Sequence, residues 1–253
     1  TTTTFYYTSD GFSLNNEGTF THNDGTVKID FENGGAPGSA RTGYNSDSKV
    51  RCASGDLYNL EVEMNRNADA TKMYPPAGSE NMIANDLTIT KGTFYKYNDN
   101  YTLIVSGTVT TAASSTFGLT SATANDTIGA ITNTGSFKAT QGTTLLHGTA
   151  SPLDNDGTFT HNSGTVVYSG SAYTMATGDA ATTFYDVVSK TTAATDGLRL
   201  NTPTAIGATI LNSVKCEVGY MARFDSGNGN ALTTLGDSTH QCTVYNSGTR
   251  WRI

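Results

Sequence analysis

Charge, cysteine, proline and long apolar runs are all scarce in this chain. Charged residues make up 15% of its 253 positions, against about 25% in ordinary globular domains. The 15 Lys and Arg form no run, and the net charge is −7. Phosphate-backbone binding draws its free energy from counterions released by grouped cations, so no nucleic-acid partner is expected. Three cysteines, Cys52, Cys216 and Cys242, lie far apart without a CxxC spacing. That arrangement gives no basis for a disulfide framework or a zinc site and predicts mostly buried thiols. No apolar run approaches the roughly 20 residues that span a bilayer, so no membrane insertion is expected. The start, Thr1 to Tyr7, has neither the basic nor the apolar region of a signal peptide. Removal of an initiator Met before Thr1 would leave this start and implies synthesis in a cytoplasm; a cleaved leader would leave the same residue.

Leu, Ile, Val and Phe together reach only about 18% of the chain, close to the composition of disordered segments. Low charge and an aromatic set of 13 Tyr and 10 Phe argue for order. In place of charge stand 45 Thr and 27 Gly. Thr is β-branched and favours strands, while Gly and Asn supply the left-handed corners between them. Short alternations such as Leu87-Thr88-Ile89-Thr90 and Leu103-Ile104-Val105 recur, and no stretch keeps a helical period.

The chain also repeats itself. Leu14 to Val27 and Leu153 to Val166 agree at 11 of 14 positions, sharing Gly-Thr-Phe-Thr-His-Asn-x-Gly-Thr-Val. A shorter copy, Asn133-Thr134-Gly135-Ser136-Phe137, precedes the second by about one coil of a parallel β-solenoid. Phe94, Phe117, Phe137, Phe159 and Phe184 follow the same rhythm, with Ile206, Phe224 and Val244 close to it. An all-β parallel β-helix with coils of about 20–25 residues is therefore expected, nine or ten coils in all, with a ladder of Phe rings inside. Residues 14–240 form this solenoid, with loop insertions near 34–55 and 64–81. The second of these carries Pro75-Pro76, which cannot donate to a ladder. Residues 1–13 are expected to act as an N-terminal cap or attachment segment and 241–253 as a C-terminal cap, with Trp251 as a plug, because open solenoid ends expose strand edges.

Several residue pairs could in principle carry chemistry. His22 and His161 occupy equivalent Thr-His-Asn positions too far apart to share a metal, and are expected to be exposed polar coil positions. Glu61 with Glu63, and Asp154 with Asp156, alternate onto one strand face at a spacing that paired glycosidase carboxylates could use. They lack an aromatic and basic surround and are expected to be structural. Ser-His-Asp order, phosphate loops and HExxH are absent, and Asp24-Gly25 and Asp225-Ser226-Gly227 are too sparse for calcium coils. No catalytic, cofactor-binding or metal residue is assigned, and no cofactor.

The run from Asn15 to Val27 and the later Phe184-Tyr185-Asp186-Val187 resemble repeats in β-helical segments of bacteriophage fibres and virion-surface proteins, and of large bacterial adhesins. The resemblance covers Leu14 to about Asp237. It implies a non-enzymatic structural protein of a bacteriophage virion, a capsid decoration or a tail-associated fibre, made in the host cytoplasm and displayed on the virion surface. The expected partners are further copies in a homotrimer, capsid or tail proteins of the same virion, and a host-surface glycan. The alternatives are a bacterial surface adhesin fragment, which would carry an export signal and further coils, and a polysaccharide-degrading tailspike.

Overall fold

The computed structural model describes residues 1–6, 11–16, 18, 20–30, 47–52, 57–64, 70–74, 80–96, 101–118, 123–171, 176–191, 198–199, 208–216, 222–223, 243–246 and 249–252. Among these residues there is no helix, and parallel strands stack as a β-solenoid of about six turns. The first strands are β1 (Thr2–Tyr6), β2 (Gly11–Asn15), β3 (Thr26–Asp30), β4 (Asp47–Arg51), β5 (Asn59–Glu63), β6 (Ala70–Tyr74) and β7 (Glu80–Ile83). The middle of the chain forms β8 (Leu87–Lys96), β9 (Thr102–Thr111), β10 (Ser115–Phe117), β11 (Asp126–Asn133), β12 (Ser136–Lys138), β13 (Thr143–Leu146) and β14 (Leu153–Asn155). There follow β15 (Thr158–Thr160), β16 (Thr165–Gly170), β17 (Thr182–Thr191), β18 (Leu198–Arg199), β19 (Ala208–Cys216), β20 (Ala222–Arg223), β21 (Thr243–Asn246) and β22 (Thr249–Arg252).

The strands fall on three faces. Face one stacks β1, β3, β5, the first half of β8, the second halves of β9 and β11, and β14. Face two stacks β2, β4, β6, the second half of β8, β10, β12 and β15, with the starts of β17 and β19 following. Face three stacks β7, the first halves of β9 and β11, β13, β16, and the second halves of β17 and β19.

Alternation explains which side chains enter. In β3 and β5 the inward Val27, Ile29, Leu60 and Val62 are buried while Lys28, Glu61 and Glu63 point out. Facing them on face two, the five Phe rings form one column. Phe94 pairs with Phe117, Phe117 with Phe137, and Phe137 with Phe159. Successive centroids are 6.1, 4.6, 5.9 and 5.4 Å apart, the last step reaching Phe184. All five are buried. Phe184 pairs with Ile210, and Ile206 lies outside the described residues. Phe224 lies outside the described residues, and Val244 belongs to an antiparallel hairpin opposite Trp251.

A second column, of polar side chains, runs through the interior. Thr111 Oγ1 donates to Asn133 Oδ1, Asn133 Nδ2 to Asn155 Oδ1 at 2.7 Å, and Asn155 Nδ2 to Thr182 Oγ1 at 2.9 Å. All four residues are buried. A buried amide without partners would cost about 1–3 kcal/mol, so each rung needs the next to satisfy it.

Two expectations need correction. Coils near the start are long, with 33 residues from Thr26 to its partner Asn59, against 22 from Thr111 to Asn133 and from Asn133 to Asn155. Such long coils leave room for fewer than nine or ten. The expected loop spans 34–55 and 64–81 also contain ladder strands, β4 in the first and β6 with the start of β7 in the second. Their alternation, as in Lys49-Val50-Arg51 and Lys72-Met73-Tyr74, is too short to stand out beside the Gly and Pro around it. Within residues 1–13, β1 and β2 are themselves rungs of faces one and two. At the other end, β21 and β22 form the antiparallel hairpin, and the Trp251 side chain lies outside the described residues.

Candidate functional site

The two copies of the 14-residue repeat share one bend and place it at different corners, the second copy running over β14, β15 and β16 on faces one, two and three. Leu153, which opens the second copy, lies in the same face-one ladder as Val27, which closes the first. Val166, the counterpart of Val27, lies on face three. The corner itself is conserved in geometry between copies. Asn23 and Asp24 have φ of 45° and 54°, and Asn162 and Ser163 have 48° and 59°. This is the pattern of a type I′ turn, closed by the Gly25 N–H donating to His22 O and the Gly164 N–H to His161 O. Each imidazole accepts, through Nδ1, the N–H two residues on at 2.9 Å. Each also stacks on a tyrosine of the following coil, His22 on Tyr58 at 5.1 Å and His161 on Tyr185 at 5.7 Å. Both histidines are half-buried turn pins, which corrects the expectation of exposed coil positions. The 11 identities therefore encode one bend with its lock.

The carboxylate pairs face outward and are tied to their neighbours. Lys28 Nζ lies 2.6 Å from Glu63, 3.3 Å from Glu61 and 3.3 Å from Asp30. Glu63 raises the Lys28 pKa most, partial burial opposes that rise, and Asp30 and Glu61 add to it. Asp154 Oδ1 accepts the Thr177 hydroxyl at 3.1 Å, and Asp156 Oδ1 accepts the Asp179 N–H at 2.7 Å, both from the next coil. These are contacts between coils on an outer surface. Among the described residues no three His, Cys, Asp or Glu side chains converge as a metal site would require. Cys52 is buried in the core; the side chains of Cys216 and Cys242 lie outside the described residues.

One charged pair escaped the sequence reading. Lys96 closes β8 on the inward side, where Nζ meets Asp126 Oδ1 at 2.6 Å and also donates to the carbonyl of Tyr101 at 3.3 Å. Both partners are buried. Burial pushes the Asp126 carboxyl above its usual range, while Lys96 opposes that shift. The signal was present as a Lys in register with inward Phe94, but a single Lys at a strand end is ordinarily solvent-facing.

Face three carries a longer feature on its outer side. Met82 pairs with Ile104, Ile104 with Thr127, Thr127 with Leu145, Leu145 with Val167 and Val167 with Val188. Their strand neighbours Ile83, Val105, Ile128, Leu146 and Val187 point into the core, so this set points out. Thr102, Thr143 and Thr165 flank it on the central rungs, and charged residues flank it at both ends, Glu80 in the first rung and Asp186 and Lys190 in the last. Met82, Ile104, Thr127, Leu145, Val167 and Val188 thus form a mainly apolar line parallel to the solenoid axis, with Val167 only 6% exposed. No family model matches the chain, and neither curated proteins nor solved structures yield a match.

Proposed function

We propose that this chain is a non-enzymatic structural protein of a bacteriophage virion, displayed as a capsid decoration or a tail-associated fibre and assembled as a homotrimer. The observation that carries the reading is the outer line of mainly apolar side chains from Met82 to Val188 on face three. Identical chains of net charge −7 repel one another side by side unless the meeting faces are uncharged. Cyclic symmetry brings the same face of every copy to one axis, and face three is suited to that position. Six rungs at the strand spacing make a contact about 24 Å long. The Glu61 and Glu63 carboxylates, engaged by Lys28, support a structural and not a catalytic role.

Two measurements test this. Mass spectrometry of purified particles should find the chain at a fixed copy number, and its absence would sink the virion assignment. Light scattering at micromolar concentration should give a trimer for the native chain and a monomer for Ile104→Glu with Leu145→Glu, with the strand signal in circular dichroism unchanged. A monodisperse native monomer would refute the trimer.

A further inference from the structure

The two histidine corners each depend on a nitrogen lone pair that acid can remove. His22 Nδ1 accepts the Asp24 N–H and His161 Nδ1 accepts the Ser163 N–H, both at 2.9 Å. An imidazole nitrogen accepts only while it is unprotonated, so both corners are built around the neutral ring with its proton on Nε2. Protonation turns Nδ1 into a donor facing the backbone N–H, and the bond between them is lost. The residues pinned in this way are ones that do not hold their conformation unaided. Asn23, Asp24, Asn162 and Ser163 all have positive φ, which residues other than glycine adopt at a cost.

Solvent reaches both rings. The His22 side chain is 28% exposed, and His161 is half-buried. Each ring lies nearly parallel to a tyrosine of the following coil, at 24° to Tyr58 and 18° to Tyr185. Attraction between an imidazolium and the tyrosine face can keep the ring docked, but docking does not restore the acceptor. The titratable and charged groups around the first corner are Asp24, with Oδ1 3.5 Å from Nδ1, Tyr58, and Lys28 of β3, which is engaged by Asp30, Glu61 and Glu63. Asp24 is 77% exposed, so its pull on an imidazolium is weak. Around the second corner they are Tyr185, Asp186, which accepts from Asn212 and Ser213, and Lys138, opposite Thr160. Ser163 stands where the first copy has Asp24, so this turn carries no carboxylate of its own to take the new Nδ1–H.

We infer that the two corners are acid-sensitive locks. With the imidazole neutral, the bend is pinned; as pH falls through the range in which imidazoles titrate, the pin is withdrawn and the bend loosens. Backbone ladder bonds do not titrate over that range, so β15 and β16 keep their register while the corner between them opens. This response to acid belongs to the fold itself and stands whether or not the chain is part of a virion.

The test uses the full chain labelled with nitrogen-15, with imidazole shifts and amide–solvent exchange followed from about pH 7.5 to about pH 5. At the neutral end both imidazoles should carry their proton on Nε2. Exchange of the Ser163 N–H, corrected for its intrinsic pH dependence, should quicken at least tenfold at the acid end. The Thr158 N–H, bonded to Gly135 O, should keep its protection. His161→Phe retains an aromatic plane for Tyr185 but removes the lone pair, so its Ser163 N–H should exchange fast throughout, with strand circular dichroism unchanged. Lys138→Gln should leave the pH dependence in place. A proton on Nδ1 at the neutral end, Ser163 protection that survives acid, or an equal loss at Thr158 would each overturn the inference. So would a pH dependence that persists in His161→Phe or vanishes in Lys138→Gln.

Discussion

Replacing Phe137 by Ala takes out the middle ring of the five-membered column and leaves its neighbours facing a void. The side chain is fully buried, with Phe117 at 4.6 Å on one side and Phe159 at 5.9 Å on the other. Deleting a buried Phe costs about 3–5 kcal/mol through lost transfer energy and residual cavity. The upper half of that range is expected, because two ring contacts are lost at once and each such pair is worth about 0.5–1.5 kcal/mol beyond area burial. The backbone here cannot collapse inward, since Ser136 and Lys138 are held in the ladder by Thr158 and Thr160. Phe12→Ala, at an exposed ring, should cost under about 1 kcal/mol. Equilibrium urea unfolding followed by strand circular dichroism reads the difference as a fall in midpoint at constant slope. In a stacked repeat the loss should also loosen nearby rungs more than distant ones, which hydrogen exchange at Thr116 and Thr158 against Ile29 would register. A Phe137→Ala penalty below about 1 kcal/mol, or one equal to that of Phe12→Ala, would mean that the column is not the core.

Three further substitutions probe other parts of the architecture. Gly157→Ala should cost about 1–3 kcal/mol by overpacking, because its Cβ would overlap the Gly135 carbonyl, whereas Gly18→Ala, with its nearest neighbour at 3.8 Å, should be neutral in the same melt. Ser163→Gly should stabilise by about 1 kcal/mol, since it frees a residue held at φ of 59° from the left-handed penalty; a lower melting temperature would contradict the turn assignment. Lys96→Met strands the buried Asp126 carboxylate and should cost about 3–5 kcal/mol near neutral pH. The folded-state pKa of Asp126 is already raised and rises further in that variant, so its contribution is retained in acid and lost as pH rises through it. The deficit should therefore shrink towards pH 4, and a deficit that grows in acid would refute the pairing.

Much of the fold was legible in the sequence because its core is periodic. A Phe that returns once per coil, always after Thr or Ser, can pack in line only if the strands are parallel and in register, and Phe94 to Phe184 do so. The corner glycines were legible for a related reason: Gly135 and Gly157 precede Ser136-Phe137 and Thr158-Phe159 where successive coils approach too closely for a Cβ. What could not be read were the features that depend on which residues meet across coils. Lys28 reaches Glu63 over 35 positions and Lys96 reaches Asp126 over 30, and neither spacing is a multiple that the short strands announce. The file of Phe12, Lys49, Lys72 and Tyr95 on face two was hidden likewise, because these residues become neighbours only once the unequal lengths of the first coils are known.

The two long copies also carry a lesson about phase. Near-identity over 14 residues does not give the same place on the solenoid: Val27 ends its copy on face one and Val166 ends its copy on face three. The reason is that the conserved residues are those of the bend: Gly for the close corner, His to accept the turn N–H, Asn with Asp or Ser in the left-handed region, and Gly to close it. Each face meets the next at a corner, so a bend of this kind fits at more than one of them if an inward Phe precedes it and a Thr-Val strand follows. Phe20 and Phe159 both pack against the core beside such bends, Phe159 within a ladder strand and Phe20 outside any strand. Sequence repeats in this chain thus mark a unit smaller than the coil, and the coil is set by the pairing between rungs. That pairing is why the 22-residue spacing of Asn133 and Asn155, joined side chain to side chain in the interior, identifies the turn of the solenoid more directly than the longest sequence match.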